Sequence, residues 1–152
     1  MRTTRRGFTM IELALTVVVV GILATMAVAK VGSTISRSKV DRAASIVAAD
    51  LENAFSTGGR LRQPLILSCD CPNRIYRLND VLNDGALRLE RGLGAGTPYT
   101  VTSMTFTPAT VTILPPGRLS AALEVDITVD GKTRRITMSS AGFVRITTPP
   151  SP

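Results

Sequence analysis

The chain has 152 residues, enough for one domain and short for two. It is 44% hydrophobic with a mean hydropathy of +0.23, only 4% aromatic, and carries 18 Lys+Arg against 11 Asp+Glu for a net charge of +7. It has no His, which excludes Ser–His–Asp and Cys–His nucleophiles, His-ligated zinc and His-ligated haem; no cofactor and no enzymatic activity are expected.

The apolar residues are concentrated. Residues 13–29 form a run of 17 without a charge. Residues 1–7 hold Arg2, Arg5 and Arg6, residues 8–29 hold only Glu12, and residues 30–152 hold 15 bases and 10 acids. A basic leader therefore precedes an apolar segment and a mildly basic exported part. As a helix, residues 8–29 would be roughly 33 Å long, enough to cross a bilayer core of about 30 Å. The leader arginines keep the N-terminus cytoplasmic by the positive-inside rule, with the bulk of the chain outside.

Glu12 breaks this pattern. A carboxylate inside a membrane helix costs about 2.5–3.5 kcal/mol at the centre and less near an interface, so it needs a partner. No base lies within one turn after it. A cut between Gly7 and Phe8 would create one, because the new α-amine of Phe8 would be a cation at similar depth. Phe8 and Glu12 are spaced i, i+4 within a chain, and between packed helices the carboxylate of one subunit could meet the amine of its neighbour.

The run Arg5-Arg6-Gly7-Phe8-Thr9-Met10-Ile11-Glu12-Leu13 resembles the signal of prepilins and pseudopilins, a short basic leader followed by Gly, Phe-Thr-Leu-Ile-Glu-Leu and an apolar helix. Met10 stands where that pattern has Leu. The resemblance implies cleavage between Gly7 and Phe8 and N-methylation of Phe8 by a prepilin peptidase/N-methyltransferase. It also implies Glu12 as the assembly carboxylate, and other pilins or pseudopilins as partners through the helix. It places the chain in the inner-membrane lipid as a single-pass protein, and then in a pilus or pseudopilus. Three other signals share the basic start and apolar run: a secretory signal cut after Ala29 at Ala27-Val28-Ala29, which would free a secreted domain; a twin-arginine signal at Arg5-Arg6; and a signal anchor. None of them accounts for Glu12.

Beyond the apolar run, Val40, Ala43, Ala44, Val47, Leu51, Ala54 and Phe55 recur at helical steps, with Lys39, Arg42, Asp50 and Glu52 on other faces. The amphipathic continuation is expected over residues 30–57, with a stop at Gly58-Gly59 and bends at Gly21 or Gly32. A break near Gly32-Ser33 into two helices is the alternative. Residues 58–146 then form a β-rich head. Strands are expected at 64–69, 75–78, 86–89, 99–106, 110–114, 120–129, 133–138 and 143–146. Asp130-Gly131 is a two-residue turn that sets Asp126 opposite Arg135, Val125 opposite Ile136 and Leu123 opposite Met138. Leu123, Val125, Ile127, Ile136 and Met138 then share the face that packs on the helix, and residues 147–152 form a disordered tail.

This order is α+β, which matches the pilin fold that the N-terminal resemblance implies: a long N-terminal helix, its first half transmembrane, packed on an antiparallel β-sheet head. Met104-Thr105-Phe106-Thr107-Pro108, the 125–136 hairpin and Ser140-Ala141-Gly142-Phe143-Val144 further resemble the H-type minor pseudopilin of type II secretion and its minor type IV pilin relatives.

Two further features bear on function. Cys69 and Cys71 flank Asp70 ahead of Pro72 in an exported segment; a disulfide across a turn, free thiols and a metal site are the options, and metal lacks the ligands. Arg60, Arg62, Arg74 and Arg77 form one cluster of arginines, and Arg134, Arg135 and Arg145 another. Of these, Arg60, Arg62, Arg74, Arg77, Arg134 and Arg135 are the candidate contacts of a DNA-binding minor pilin, since Arg forks suit phosphate. Interspersed acids and scarce aromatics weigh against that. Asp80, Asp84, Asp126 and Asp130 read as turn and strand-face residues.

Overall fold

The computed structural model describes residues 8–149, apart from the side chains at positions 26–31 and 33. The leader with Arg2, Arg5, Arg6 and Gly7, the side chain of Ala29 and the last three residues of the expected tail lie outside the described residues. One helix, α1 (Met10–Leu61, 52 residues), precedes nine strands: β1 (Leu65–Asp70), β2 (Ile75–Asp80), β3 (Leu87–Gly92), β4 (Ser103–Thr107), β5 (Thr110–Leu114), β6 (Arg118–Leu119), β7 (Leu123–Val129), β8 (Lys132–Met138) and β9 (Val144–Thr147). The chain divides into two compact units, Met1–Ile35 and Ser36–Pro152.

In the first unit the described apolar side chains are uncovered, with Met10 90%, Ile11 80% and Leu15 66% exposed. The hydroxyls of Thr16 and Thr25 donate to the carbonyls of Leu13 and Ile22 at 2.8 and 2.7 Å, so neither adds an unsatisfied polar group to this face. Among the described residues no helix is long and apolar enough to cross a membrane. The span expected over residues 8–29 lies partly outside them, since its side chains are described only as far as Thr25.

The second unit is the head. It holds two antiparallel sheets rather than one, ordered β3-β2-β1-β5-β6 and β4-β7-β8-β9. Val40, Ala43, Ala44, Val47, Leu51 and Ala54 of α1 join Leu65, Leu67, Tyr76, Ile113, Met104, Phe106 and the inner residues of β7 and β8 in one core. The β7–β8 register pairs Asp126 with Arg135, Val125 with Ile136 and Leu123 with Met138, as the Asp130-Gly131 turn predicts. Leu123, Val125, Ile127, Ile136 and Met138 are all buried.

The differences from expectation have local causes. α1 passes Gly58-Gly59 and ends at Leu61, with Arg62 turning the chain at φ 53°. Gly58 is a packing residue, not a stop: a Cβ there would stand 2.7 Å from Ile113 Cγ2. The expected 120–129 strand starts at Leu123, because Arg118 and Leu119 pair with β5 in the first sheet and the chain then crosses to the second. The expected 99–106 strand starts at Ser103, since Thr100 adopts φ 47°. The tail begins later than expected: Thr147 belongs to β9, and the Thr148 hydroxyl accepts a hydrogen bond from Arg134.

Candidate functional site

The start of α1 is built by Thr9. Its carbonyl accepts the backbone N–H of Glu12 at 3.1 Å and of Leu13 at 3.2 Å, and its Oγ1 accepts the Glu12 N–H at 3.3 Å. Thr9 is therefore the N-cap, and Thr-x-x-Glu is the spacing of a capping box. Glu12 sits in the first turn, where a carboxylate faces the positive end of the helix dipole. It is exposed and forms no ion pair with another described residue. Phe8 precedes the helix and is 74% exposed. The capping role of Thr9 was readable in its spacing from Glu12, but the motif drew attention to Glu12 alone.

The head carries a buried polar centre that the helical pattern missed. Asp50, expected on a polar face, is 7% exposed. Tyr76 Oη of β2 donates to its Oδ2 at 2.6 Å, and Arg91 of β3 donates Nε to Oδ2 at 2.5 Å and Nη2 to Oδ1 at 3.1 Å. Burial, then the hydrogen bond to Asp50, pushes the Tyr76 phenol well above its usual range, so it is a permanent donor. The hydrogen bond to Asp50 likewise holds the Arg91 guanidinium in its charged form. Three elements of the head, α1, β2 and β3, thus meet at one carboxylate.

The candidate DNA-contacting arginines do not form one free basic surface. Arg77 pairs with Glu90 at 2.6 Å, Arg134 with Asp41 at 2.5 Å, and Arg135 grips Asp126 at 2.8 Å through two nitrogens while also reaching Glu124 at 3.2 Å. Arg74 Nε donates to the Thr102 carbonyl at 3.0 Å. Arg60 and Arg62 stand exposed at the end of α1. Four of the six are thus committed to partners within the head, and phosphate binding would have to displace them.

Cys69 and Cys71 are joined, with 5.1 Å between their Cα atoms. The chain leaves β1 for a turn at Cys71, which brings the two closer than the roughly 7 Å of an extended strand. Among the described residues no three His, Cys, Asp or Glu side chains are placed to hold a metal ion. Asp80 is not a simple turn residue: it is fully buried, accepts from Arg88 Nη2 at 2.8 Å and takes the Leu82 N–H at 3.1 Å.

Residues 2–28 match the family described as the prokaryotic N-terminal methylation motif. No curated protein matches the chain significantly in sequence. In structure it is similar to the minor pseudopilin EpsH from the type 2 secretion system of Vibrio cholerae, at 15% identity and a TM-score of 0.58 over 74% of this chain and 99% of that one. It is also similar to the type IV minor pilin FimU of Pseudomonas aeruginosa, at 23% identity and a TM-score of 0.56 over 75% of this chain and 90% of that one. At such identities the likeness is one of fold. The chain thus carries an N-terminal methylation motif over residues 2–28 and has the fold of the minor pseudopilin and minor pilin to which it is similar.

Proposed function

We propose that the chain is a minor structural subunit of a type IV pilus or type II secretion pseudopilus. A prepilin peptidase hydrolyses the Gly7–Phe8 bond and methylates the freed Phe8 amine, and the subunit is stored in the inner membrane with its head outside the cytoplasm. Assembly then bundles the apolar halves of α1, and Glu12 of one subunit pairs with the Phe8 amine of a neighbour. The observation that carries this reading is Glu12 itself, an exposed carboxylate without an ionic partner among the described residues, at the start of an uncovered apolar helix and inside a matched methylation motif. A buried ion pair offsets the desolvation of both charges only when the partner arrives, so the carboxylate favours the assembled state over stray packing. The helical backbone of α1 through residues 27–30 supports the same reading over a secretory cut after Ala29.

Substitution Glu12→Ala tests the role. Membrane insertion and processing are expected to persist while incorporation into the filament falls, measured by comparing membrane and sheared-filament fractions. Normal incorporation of the variant would remove Glu12 from the mechanism.

A further inference from the structure

The bases of the head are not all committed. Arg74, Arg77, Arg88, Arg91, Arg134 and Arg135 bond within the head. Arg37, Lys39 and Arg42 of α1 and Lys132 of β8 form no ion pair with another described residue, and all but the half-buried Lys39 are exposed. These four lie at one end of the head. Ser36 Oγ donates to Asp130 Oδ2 at 3.1 Å, and Arg134 Nε donates to Asp41 Oδ1 at 2.5 Å, so the β7–β8 turn is fastened to the first turns of the head's helix. Lys132 lies between those two ties and on the same face of β8 as Arg134. This end holds five bases, Arg37, Lys39, Arg42, Lys132 and Arg134, against the acids Asp41 and Asp130.

Its place in the chain identifies a partner. Arg37 follows the apolar run by eight residues, little more than two helical turns. The headgroup layer adds roughly 5–7 Å beyond the hydrocarbon, and the screening length at physiological salt is about 8 Å. Once the leader is removed, residues 8–29 carry no base, so every basic side chain of the mature subunit lies on the exported side. We propose that Arg37, Lys39, Arg42 and Lys132 form a collar that binds anionic phospholipid headgroups of the exported leaflet and holds the head against the membrane until assembly. This deepens the proposed function and rests on residues 8–29 spanning the bilayer. Each base close to an anionic surface adds about fivefold in affinity, so four bases make a substantial but salt-reversible hold.

The test uses the full chain, one copy per nanodisc, in neutral phosphatidylcholine or with phosphatidylglycerol added. A spin label is placed by Ser38→Cys, an exposed site beside the collar; Cys69 and Cys71 are already joined, so this is the free thiol. Collision with a water-soluble relaxant is expected to fall about threefold in the anionic discs and to recover near about 0.5 M salt, where screening is short-ranged. The triple substitution Arg37→Gln, Lys39→Gln, Lys132→Gln should remove most of the dependence on lipid charge. Removing equal charge elsewhere, by Arg60→Gln, Arg62→Gln and Arg118→Gln, should leave it intact. Equal accessibility in both discs, or equal loss with either triple substitution, would overturn the collar. A chain that does not remain in discs of either lipid would instead refute the membrane-spanning reading on which it rests.

Discussion

Asp50 receives both Tyr76 and Arg91: the phenol reaches Oδ2 at 2.6 Å, while the guanidinium takes Oδ2 at 2.5 Å and Oδ1 at 3.1 Å. The carboxylate side chain is 9% exposed and the arginine 30%. Removing the acid leaves a cation and a phenol facing a core with nothing to accept from them. Asp50→Ala is therefore expected to cost about 3 kcal/mol by chemical denaturation, and Tyr76→Phe about 1 kcal/mol. Equal costs for the two would show that Arg91 turns to solvent when Asp50 is lost.

The Asp126–Arg135 fork on the hairpin has the same chemistry in a wetter place, with side chains 33% and 32% exposed. Solvent screening reduces its worth, and Arg135→Ala is expected to cost clearly less than Asp50→Ala. The comparison with Asp50 separates burial from hydrogen-bond geometry as the source of stability.

Asp80 supplies a pH dependence. The Arg88 hydrogen bond holds its carboxyl below the usual range of about 3.9. A depressed folded value means that the contribution is fully present above the unfolded value and is lost as pH falls through the folded one. Asp80→Asn should therefore be less stable than the parent at pH 7, with the gap closing only in strong acid. A gap that is constant with pH would place the effect in packing rather than charge.

Two glycines are predicted to resist substitution for different reasons. Gly58→Ala meets Ile113 Cγ2 at 2.7 Å and should cost about 1–3 kcal/mol, and less in an Ile113→Ala background, where that methyl is gone. Gly142→Ala should cost more, because its φ of 88° disfavours any Cβ and the Phe55 ring already occupies that space, and an Ile113→Ala background should not lessen that cost. Thermal unfolding of the single and double variants checks both.

What the sequence discloses depends on how local the cause is. The β7–β8 register follows from Asp130-Gly131 and the alternation beside it, all within a few residues. The apolar helix with its single Glu12 is likewise local. Asp50 is not: its partner Arg91 lies 41 residues away, and by helical spacing alone a charge beside Leu51 reads as solvent-facing. Gly58 reads as a helix stop because the side chain that fills its empty space belongs to β5. The crossing between sheets after Leu119 depends on which sheet each neighbouring strand has joined, a relation no short window contains. The candidate arginines read as a patch for a similar reason, because Glu90, Asp41 and Asp126 are matched to them only in the fold.

The processing site is the central claim, and the N-terminus of the mature protein tests it directly. Mass spectrometry of the chain recovered from a membrane that contains a prepilin peptidase should find N-methylated Phe8. The mature side-chain charge then falls from +7 to +4 as Arg2, Arg5 and Arg6 leave with Gly7. A mature chain that begins at Lys30 would contradict the account, since Glu12 and the whole apolar run would have been discarded with a secretory signal.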